Sequence, residues 1–460
     1  MSARSVRCSQ ERPAGISGGL HVMARAFTAL RHRNFRLFWF GQLISLIGTW
    51  MQSIGQAWLV LVLSHNNALL LGIVGALQFL PVLILSLLGG VIADRFPKRR
   101  VLIGTQSSAM LLAFILFVLT VTHVVQIWHI LVLATLLGVV NAVDMPTRQS
   151  FVVEMVGREE VMNAVALNSS LFNTARIIGP GIGGLVIGWL GVAPLFLLNG
   201  ISFIAVIIGL ALIRPEELLT VVRPKRGTGW RSSFIQLGEG LRYVRQAAIM
   251  LTIVLLVAAV GTFALNFNVI LPLFAADILR VGASGYGVMS AVTGLGSLVA
   301  ALVIAATGRK PRMNVLLISG AALAACEIGF ALSRFYPLSL LLLAGIGFTT
   351  ISFSATANTA LQTGSPDHLR GRIMGLYVVV FAGTTPIGNL FTGGLAARWG
   401  PPISLIAGAV ITAVAVVLSL RKRGQIVTPP AGGIQADVAP EASLPESLRA
   451  SGEPTLSGTR

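Results

Sequence analysis

Twelve stretches of mostly apolar residues, each about long enough to cross a bilayer as a helix, constrain this chain more than any other feature. They cover about residues 36–63, 68–92, 101–122, 127–146, 162–190, 193–213, 249–274, 284–307, 314–333, 337–360, 372–397 and 402–420. Spanning the hydrocarbon takes about 20 such residues. Of 460 residues, 55% are hydrophobic and 11% charged, against about 25% charged in an ordinary soluble protein. A soluble fold of this length could not hide that much apolar surface. The expected class is therefore all-α integral membrane, with twelve transmembrane helices.

The net charge is +18, which in a soluble protein would suggest nucleic acid. Its distribution points to a membrane instead. Thirty of the 34 Lys and Arg fall in the N-terminal segment, the even-numbered links and the C-terminal segment. Arg280, Arg334 and Arg398 lie in odd-numbered links, and Arg176 lies within a span. That asymmetry places both termini in the cytoplasm of a multi-pass inner or plasma membrane protein. No RNA- or DNA-reading module accompanies the charge, so no nucleic-acid partner is expected. Cys8 and Cys326 are the only cysteines and are too few for a disulfide framework. The Arg-rich start lacks the apolar core of a signal peptide, and Met23 is an alternative start.

The order of segments predicts an N-terminal cytoplasmic segment (1–33), a six-helix bundle (34–213), a linker (214–247), a second six-helix bundle (248–423) and a disordered tail (424–460). The linker is basic, and Phe234, Leu237, Leu241 and Val244 recur in it at steps of three and four, the pattern of an amphipathic helix lying at the membrane surface. The tail is rich in Pro, Ala, Gly, Ser and Glu without apolar periodicity. The two halves echo each other: "GPGIGGLVIGWLG" (179–191) has a counterpart in "GNLFTGGLAARWG" (388–400), and "ADRFPKRRVLI" (93–103) in "ATGRKPRMNVLLI" (306–318). Two pseudo-symmetric six-helix lobes handling substrate where they meet is a transporter architecture.

Between spans two and three, Gly90, Asp94, Arg95, Lys98 and Arg99 resemble the major facilitator superfamily signature G-x-x-x-D-R-x-G-R-R, with Pro97 replacing its second Gly. A plain positive-inside anchor accounts for Lys98, Arg99 and Arg100 but not for Asp94. An acid at a helix end is expensive unless paired or aimed at a positive helix N-terminus. The resemblance implies that Asp94 faces the start of span eleven near Gly371 and closes the cytoplasmic side in the outward-facing state. In span four, "NAVDMPTRQSFVVEMV" (141–156) places Asp144 a turn inside the boundary, and Lys98 or Arg95 is its expected partner; an interfacial acid reaching water is the competing reading. "DMPTRQSF", "SPDHLRGRIMGLY" and "EGLRYVRQ" resemble the branch that includes the bacterial enterobactin exporter, the transmembrane secretion effector family. Asp144 and Arg148 join the candidate latch.

Span five carries "NTARIIGPGIGG" (173–184), which resembles the antiporter signature g-x-x-x-G-P-x-x-G-G: Gly179, Pro180, Gly183 and Gly184 match, and Ala175 replaces the first Gly. Proline kinks the helix and glycines admit a neighbouring backbone. The resemblance implies export, with plain helix packing as the alternative. Arg176, a turn before the kink, needs an acid, a carbonyl array or an anionic substrate as partner. Glu327, deep in span nine, is the comparable acid and the candidate for proton coupling, although span nine in this fold often lies outside the cavity; Asp277 at the outer end of span seven is a further candidate.

Gln42, Ser45, Thr49, Gln52 and Gln56 share one face of span one; Thr349, Ser352, Thr356 and Thr359 repeat the pattern in span ten, and Thr262 and Asn266 add to it in span seven. The resemblance implies that spans one, four, seven and ten line the cavity; polar stripes can also join helices. No phosphate-binding loop occurs, and His21, His32, His65, His123, His129 and His368 form no metal-spaced cluster. Trp39, Trp128, Trp189 and Trp399 suit an interfacial belt. Span four lacks the Arg-containing signature typical of proton-driven drug exporters. The expected protein is a monomeric, proton-driven exporter of a small amphipathic molecule such as a siderophore, drug or metabolite, with no cofactor, no metal and no enzymatic activity. An importer of the same fold and a non-transporting sensor are the alternatives.

Overall fold

The computed structural model describes residues 28–219, 230–307, 313–366 and 369–421. Among them, twelve helices are long and apolar enough to cross a membrane. Numbered as spans one to twelve, they are Arg33–Leu63, Ala68–Arg95, Lys98–Val121, Ile127–Gly157, Glu159–Leu190, Ala193–Ala211, Ala248–Ile278, Gly282–Thr307, Met313–Leu332, Tyr336–Gly364, Arg370–Trp399 and Pro401–Leu420. No strand occurs among the described residues. The N-terminal segment before Thr28 and the tail lie outside the described set, and with them Cys8, Met23 and His21.

Local chemistry sets the ends of these helices. The Asn67 side chain accepts from the backbone N–H of Leu69 (3.0 Å) and starts span two, since a helix N-terminus has unpaired donors to satisfy. Gly191 (φ +82°) and Gly400 (φ +87°) end spans five and eleven, in a left-handed conformation that costs glycine little. These two glycines close the echoed segments 179–191 and 388–400, so the sequence repeat is a repeat of structure.

Two elements differ from the sequence expectation. Residues 147–161, expected as a link, are helical and turn at Gly157 (φ +77°). The reason is packing: Phe151, Val152, Met155 and Val156 join a buried cluster with Phe35 and Phe38, which holds the extension of span four in place. Span seven is interrupted after Phe263 and resumes at Phe267, and its last turn, Phe274–Ile278, widens to a π-helix. The linker helix runs Trp230–Gln246. Val244 is fully buried and Leu241 exposed, while the side chains of Phe234 and Leu237 lie outside the described set.

Spans one, five and six pack together, as do two with four and three with six; in the second half, eight packs with ten, nine with ten and seven with eleven. The halves meet where span two lies against eleven and span five against eight. Large apolar side chains such as Ile84, Leu111, Leu302, Ile318 and Leu341 are exposed outward, as hydrocarbon-facing residues must be. One end of the bundle carries Asp94 and the other Asp277; these ends are the Asp94 face and the Asp277 face.

Candidate transport pathway and its gates

Several charged residues of the Asp94 face hold the first half together. Lys98 is buried and pairs with Glu154 at 2.5 Å. Arg99 donates to the carbonyls of Leu210 (2.7 Å) and Ala211 (2.6 Å), the last turn of span six, where the helix presents its negative end. Asp144 is buried and pairs with Arg148 one turn along the same helix. It also accepts from Thr105 Oγ1 and Gln106 Nε2, both at 2.7 Å. The partner of Asp144 is thus Arg148, and neither Lys98 nor Arg95; Lys98 is engaged by Glu154, an acid that the sequence alone does not mark out. Arg148 in turn donates to Gln42 Oε1 at 2.8 Å, tying span four to span one. Asp94 and Arg95 are exposed at the end of span two. Across from them, Glu239 of the linker helix pairs with Arg372 of span eleven at 2.6 Å.

The two halves are packed unevenly along the bilayer normal. Near the Asp277 face, a Cβ on Gly184 would lie 2.7 Å from Gly287 Cα, and one on Gly393 would lie 2.8 Å from the Ala68 carbonyl. Gly72 is similarly tight against Asn389. Gly90 is eighteen residues from Gly72, about five helical turns, and therefore on the same face of span two. The same spacing relates Gly371 to Asn389 and Gly375 to Gly393 on span eleven. Yet at Gly90, Gly371 and Gly375 no described atom outside the helix's own adjacent backbone lies within 4 Å of the position a side-chain methyl would take. The same helix faces that touch backbone to backbone at one end stand apart at the other. Trp58 stacked with Tyr286 (6.3 Å) and Asn66 donating to Asp277 (2.5 Å) complete the closed end.

The polar stripes divide in use. On span one, Gln42 is spent on Arg148, and Gln52 accepts from buried Asn199 of span six at 2.7 Å. Ser45 and Gln56 are buried, while Thr49 is exposed together with Ser53. Ser53 lies nine residues from exposed Ile44, about half a turn away around the helix, so Thr49 and Ser53 look away from lipid. On span ten, Thr349, Ser352, Thr356 and Thr359 each donate to the carbonyl four residues earlier, at 2.6–2.8 Å. Their hydroxyls are satisfied by the helix itself; Thr349 is buried, and Thr359 lies eighteen residues from outward-facing Leu341 and so on the same face. Thr262 makes the same intrahelical bond on span seven. Asn266 is buried at the break in that span, donates to Thr262 and lies against Gly388, which makes it a packing residue in this conformation. Ser53, Asn199 and Glu239 do not stand out in the sequence; an Asn inside the apolar run of span six is the visible signal for the second.

Arg176 is half-buried and has no hydrogen bond or ion pair among the described residues. Glu327 is fully buried, and neither carboxylate oxygen has a partner. Asp277 is exposed and engaged with Asn66. Among the described residues, no group of His, Cys, Asp and Glu could hold a metal ion.

Known proteins share this arrangement. Solved structures that superpose include the nucleoside transporter NupG (TM-score 0.69, 13% identity, covering 84% of this chain and 98% of that one) and a D-xylose–proton symporter (TM-score 0.64, 14% identity, 84% and 96%). They share the major facilitator fold. Among curated sequences, the multidrug efflux pump Tap of Mycolicibacterium fortuitum is 28% identical over 81% of this chain and 91% of its own. The staphyloferrin A transporter of Staphylococcus aureus is 26% identical (77% and 87%), and the enterobactin exporter EntS of Escherichia coli 25% (85% and 92%). The profile of the transmembrane secretion effector family matches residues 24–448. With twelve spans, the span-two signature and this match over most of its length, the chain belongs to the transmembrane secretion effector family of major facilitator transporters.

Proposed function

We propose that this transporter exports a small amphipathic molecule across the inner or plasma membrane by alternating access, driven by inward proton flow. The observation that carries the reading is the uneven packing of the halves: spans two and eleven, and five and eight, are closed at the Asp277 face, while Gly90, Gly371 and Gly375 stand in open space at the other. With the basic links in the cytoplasm, this is an inward-open conformation, the state that loads an exported substrate. Asp94 then belongs to the latch that forms when the Asp94 face shuts, and the latch must favour one state only, since equal stability in both would shift nothing. The relatives named as efflux pump and siderophore exporter favour outward transport of a compound with both polar and apolar parts. Thr49 and Ser53, which look away from lipid, suit such a ligand.

Glu327 is the candidate proton carrier, because its buried carboxylate has no hydrogen-bond partner among the described residues. The test is accumulation of a compound panel in cells with and without the gene, with a proton uncoupler as control, followed by flux in inverted vesicles. Lower accumulation with the gene, abolished by the uncoupler, is expected. Equal accumulation across a broad panel, or uptake in place of export, overturns the reading.

A further inference from the structure

Span five carries a cation, Arg176, with which no described residue forms a hydrogen bond or ion pair. Around this helix, Gly179 and Gly183 meet span one, through Ile47, Trp50 and Met51. Gly184 and Gly188 meet span eight, at Gly287 and Ser284. Ile178, Ile182, Leu185 and Trp189 are exposed and form the lipid-facing sector. At about 100° per residue, the remaining sector lies between the faces covered by spans one and eight and holds Asn173, Arg176 and Pro180. Arg176 is turned roughly 150° from the centre of the lipid sector, so it cannot reach a lipid headgroup by running out along the helix's outer surface. It faces the interior of the molecule.

Its height is informative too. The contacts of span five with span eight run from Gly188 and Ser284 down to Arg176 itself, whose carbonyl oxygen lies 3.2 Å from a methyl placed on Gly294. Beyond that level, toward the Asp94 face, Met162, Val165 and Ser169 of span five are exposed. Arg176 thus stands at the apex of the open side, where close packing ends.

No described acid pairs with Arg176. Asp144, Glu154, Glu160 and Glu239 have basic partners, and Asp277 has Asn66. Glu327 lies on span nine with neither oxygen bonded to any group. A guanidinium inside a membrane protein is costly unless an anion or a set of carbonyls meets it, and its planar fork matches a carboxylate with two parallel hydrogen bonds.

We propose that Arg176 receives a carboxylate of the transported molecule at the apex of the cavity, so that the substrate is an amphipathic anion. This rests on the export reading above. Thr49 and Ser53, exposed on the neighbouring first span, offer hydroxyls to the less charged part of the ligand. Arg176 accordingly acts in substrate selection and leaves the closure of the two halves unchanged.

The test uses a carboxy-rhodamine and its methyl ester. Their binding is measured by fluorescence polarisation on the purified full-length protein, as parent, Arg176→Gln and Arg176→Lys in nanodiscs, and their efflux is followed from cells carrying each version. The parent is expected to bind the acid at least about tenfold more tightly than Arg176→Gln does, the loss of a charge-assisted pair. The ester should bind both alike, and Arg176→Lys should keep part of the preference. Melting temperatures of the three proteins guard against a folding defect. Equal loss of acid and ester in Arg176→Gln, or no loss of either, overturns the anion site while leaving export intact. Efflux of neither dye by the parent, with no gain in a panel of other amphiphiles, overturns export and the site with it.

Discussion

Gly184→Ala should shift the protein toward the conformation closed at the Asp94 face. The added methyl would lie 2.7 Å from Gly287 Cα and 3.0 Å from the Ala283 carbonyl oxygen. Both are backbone atoms of span eight, and no side-chain rotation relieves the clash. Restoring van der Waals separation of about 3.5–4.0 Å requires spans five and eight to part by roughly 1 Å at the Asp277 face. Overpacking of this kind costs about 1–3 kcal/mol. Alanine's better helix propensity does not offset it, because span five is helical in both conformations and that gain cancels from their equilibrium. The whole cost therefore falls on one state, a shift of about 5–150-fold. Spin labels at Met162 and Thr307, both exposed near the Asp94 ends of spans five and eight, read it as a distance. The parent should give a long-distance population that Gly184→Ala converts to a shorter one. Gly375→Ala, with no described atom outside the helix's own adjacent backbone within 4 Å of the new methyl, should leave the distribution as in the parent. Identical distributions in Gly184→Ala and parent, at matched melting temperatures, would refute the assignment of closure to this contact.

Asp94→Asn should slow efflux while the protein folds normally, because the latch loses its charge; parent-like flux from reconstituted protein would remove Asp94 from gating. Lys98→Met should lower the thermal stability by about 3 kcal/mol or more, since it strands Glu154 in a largely buried site. The double change Lys98→Met with Glu154→Leu should recover much of that loss, and a double variant no more stable than the single one counts against the pair. Glu327→Gln should keep substrate binding but weaken the dependence of efflux on a proton gradient, measured in vesicles with an imposed pH difference. A gradient dependence matching the parent's would assign coupling elsewhere.

The fold could be read from sequence because hydropathy in a membrane protein is nearly a direct statement of which residues meet hydrocarbon. The two halves were visible for a similar reason: Gly191 and Gly400 end their helices through the same backbone conformation, and only glycine adopts it cheaply. The polar partners were harder. Asp144 and Arg148 are one helical turn apart, but that matters only once the helix is known to continue past the expected boundary, which depends on Phe151 and Met155 packing under Phe38. Gln42 and Gln52 share the polar face of span one, yet ten residues separate them and turn them about 80° apart. That arc suffices for one to meet span four and the other span six. Periodicity identified the stripe and could not say which helix each side chain met. Glu327 stood out as a deep acid, whereas its lack of any partner is a property of the surrounding helices alone.

The distribution of bond types explains how such a molecule can rock without coming apart. Within the first half, charged and amide side chains join the helices: Lys98 to Glu154, Arg148 to Gln42, Gln52 to Asn199. Removing one partner of such a pair leaves a buried polar group unsatisfied, at about 1–3 kcal/mol for each neutral one and more for a charge. Between the halves, at the closed end, the contacts are glycine and alanine backbones, a stacked Trp58–Tyr286 pair and hydrogen bonds such as Ser284 to the Gly184 carbonyl at 3.2 Å. Small-residue contacts of this sort rely on dispersion, and each atom pair contributes only about 0.1–0.2 kcal/mol. Their loss on opening strands few polar groups, and Asn66 and Asp277 are exposed enough for water to replace their hydrogen bond. The cheapest deformation by this comparison is therefore to part the halves with the first lobe intact, which is the motion the proposed alternating access requires.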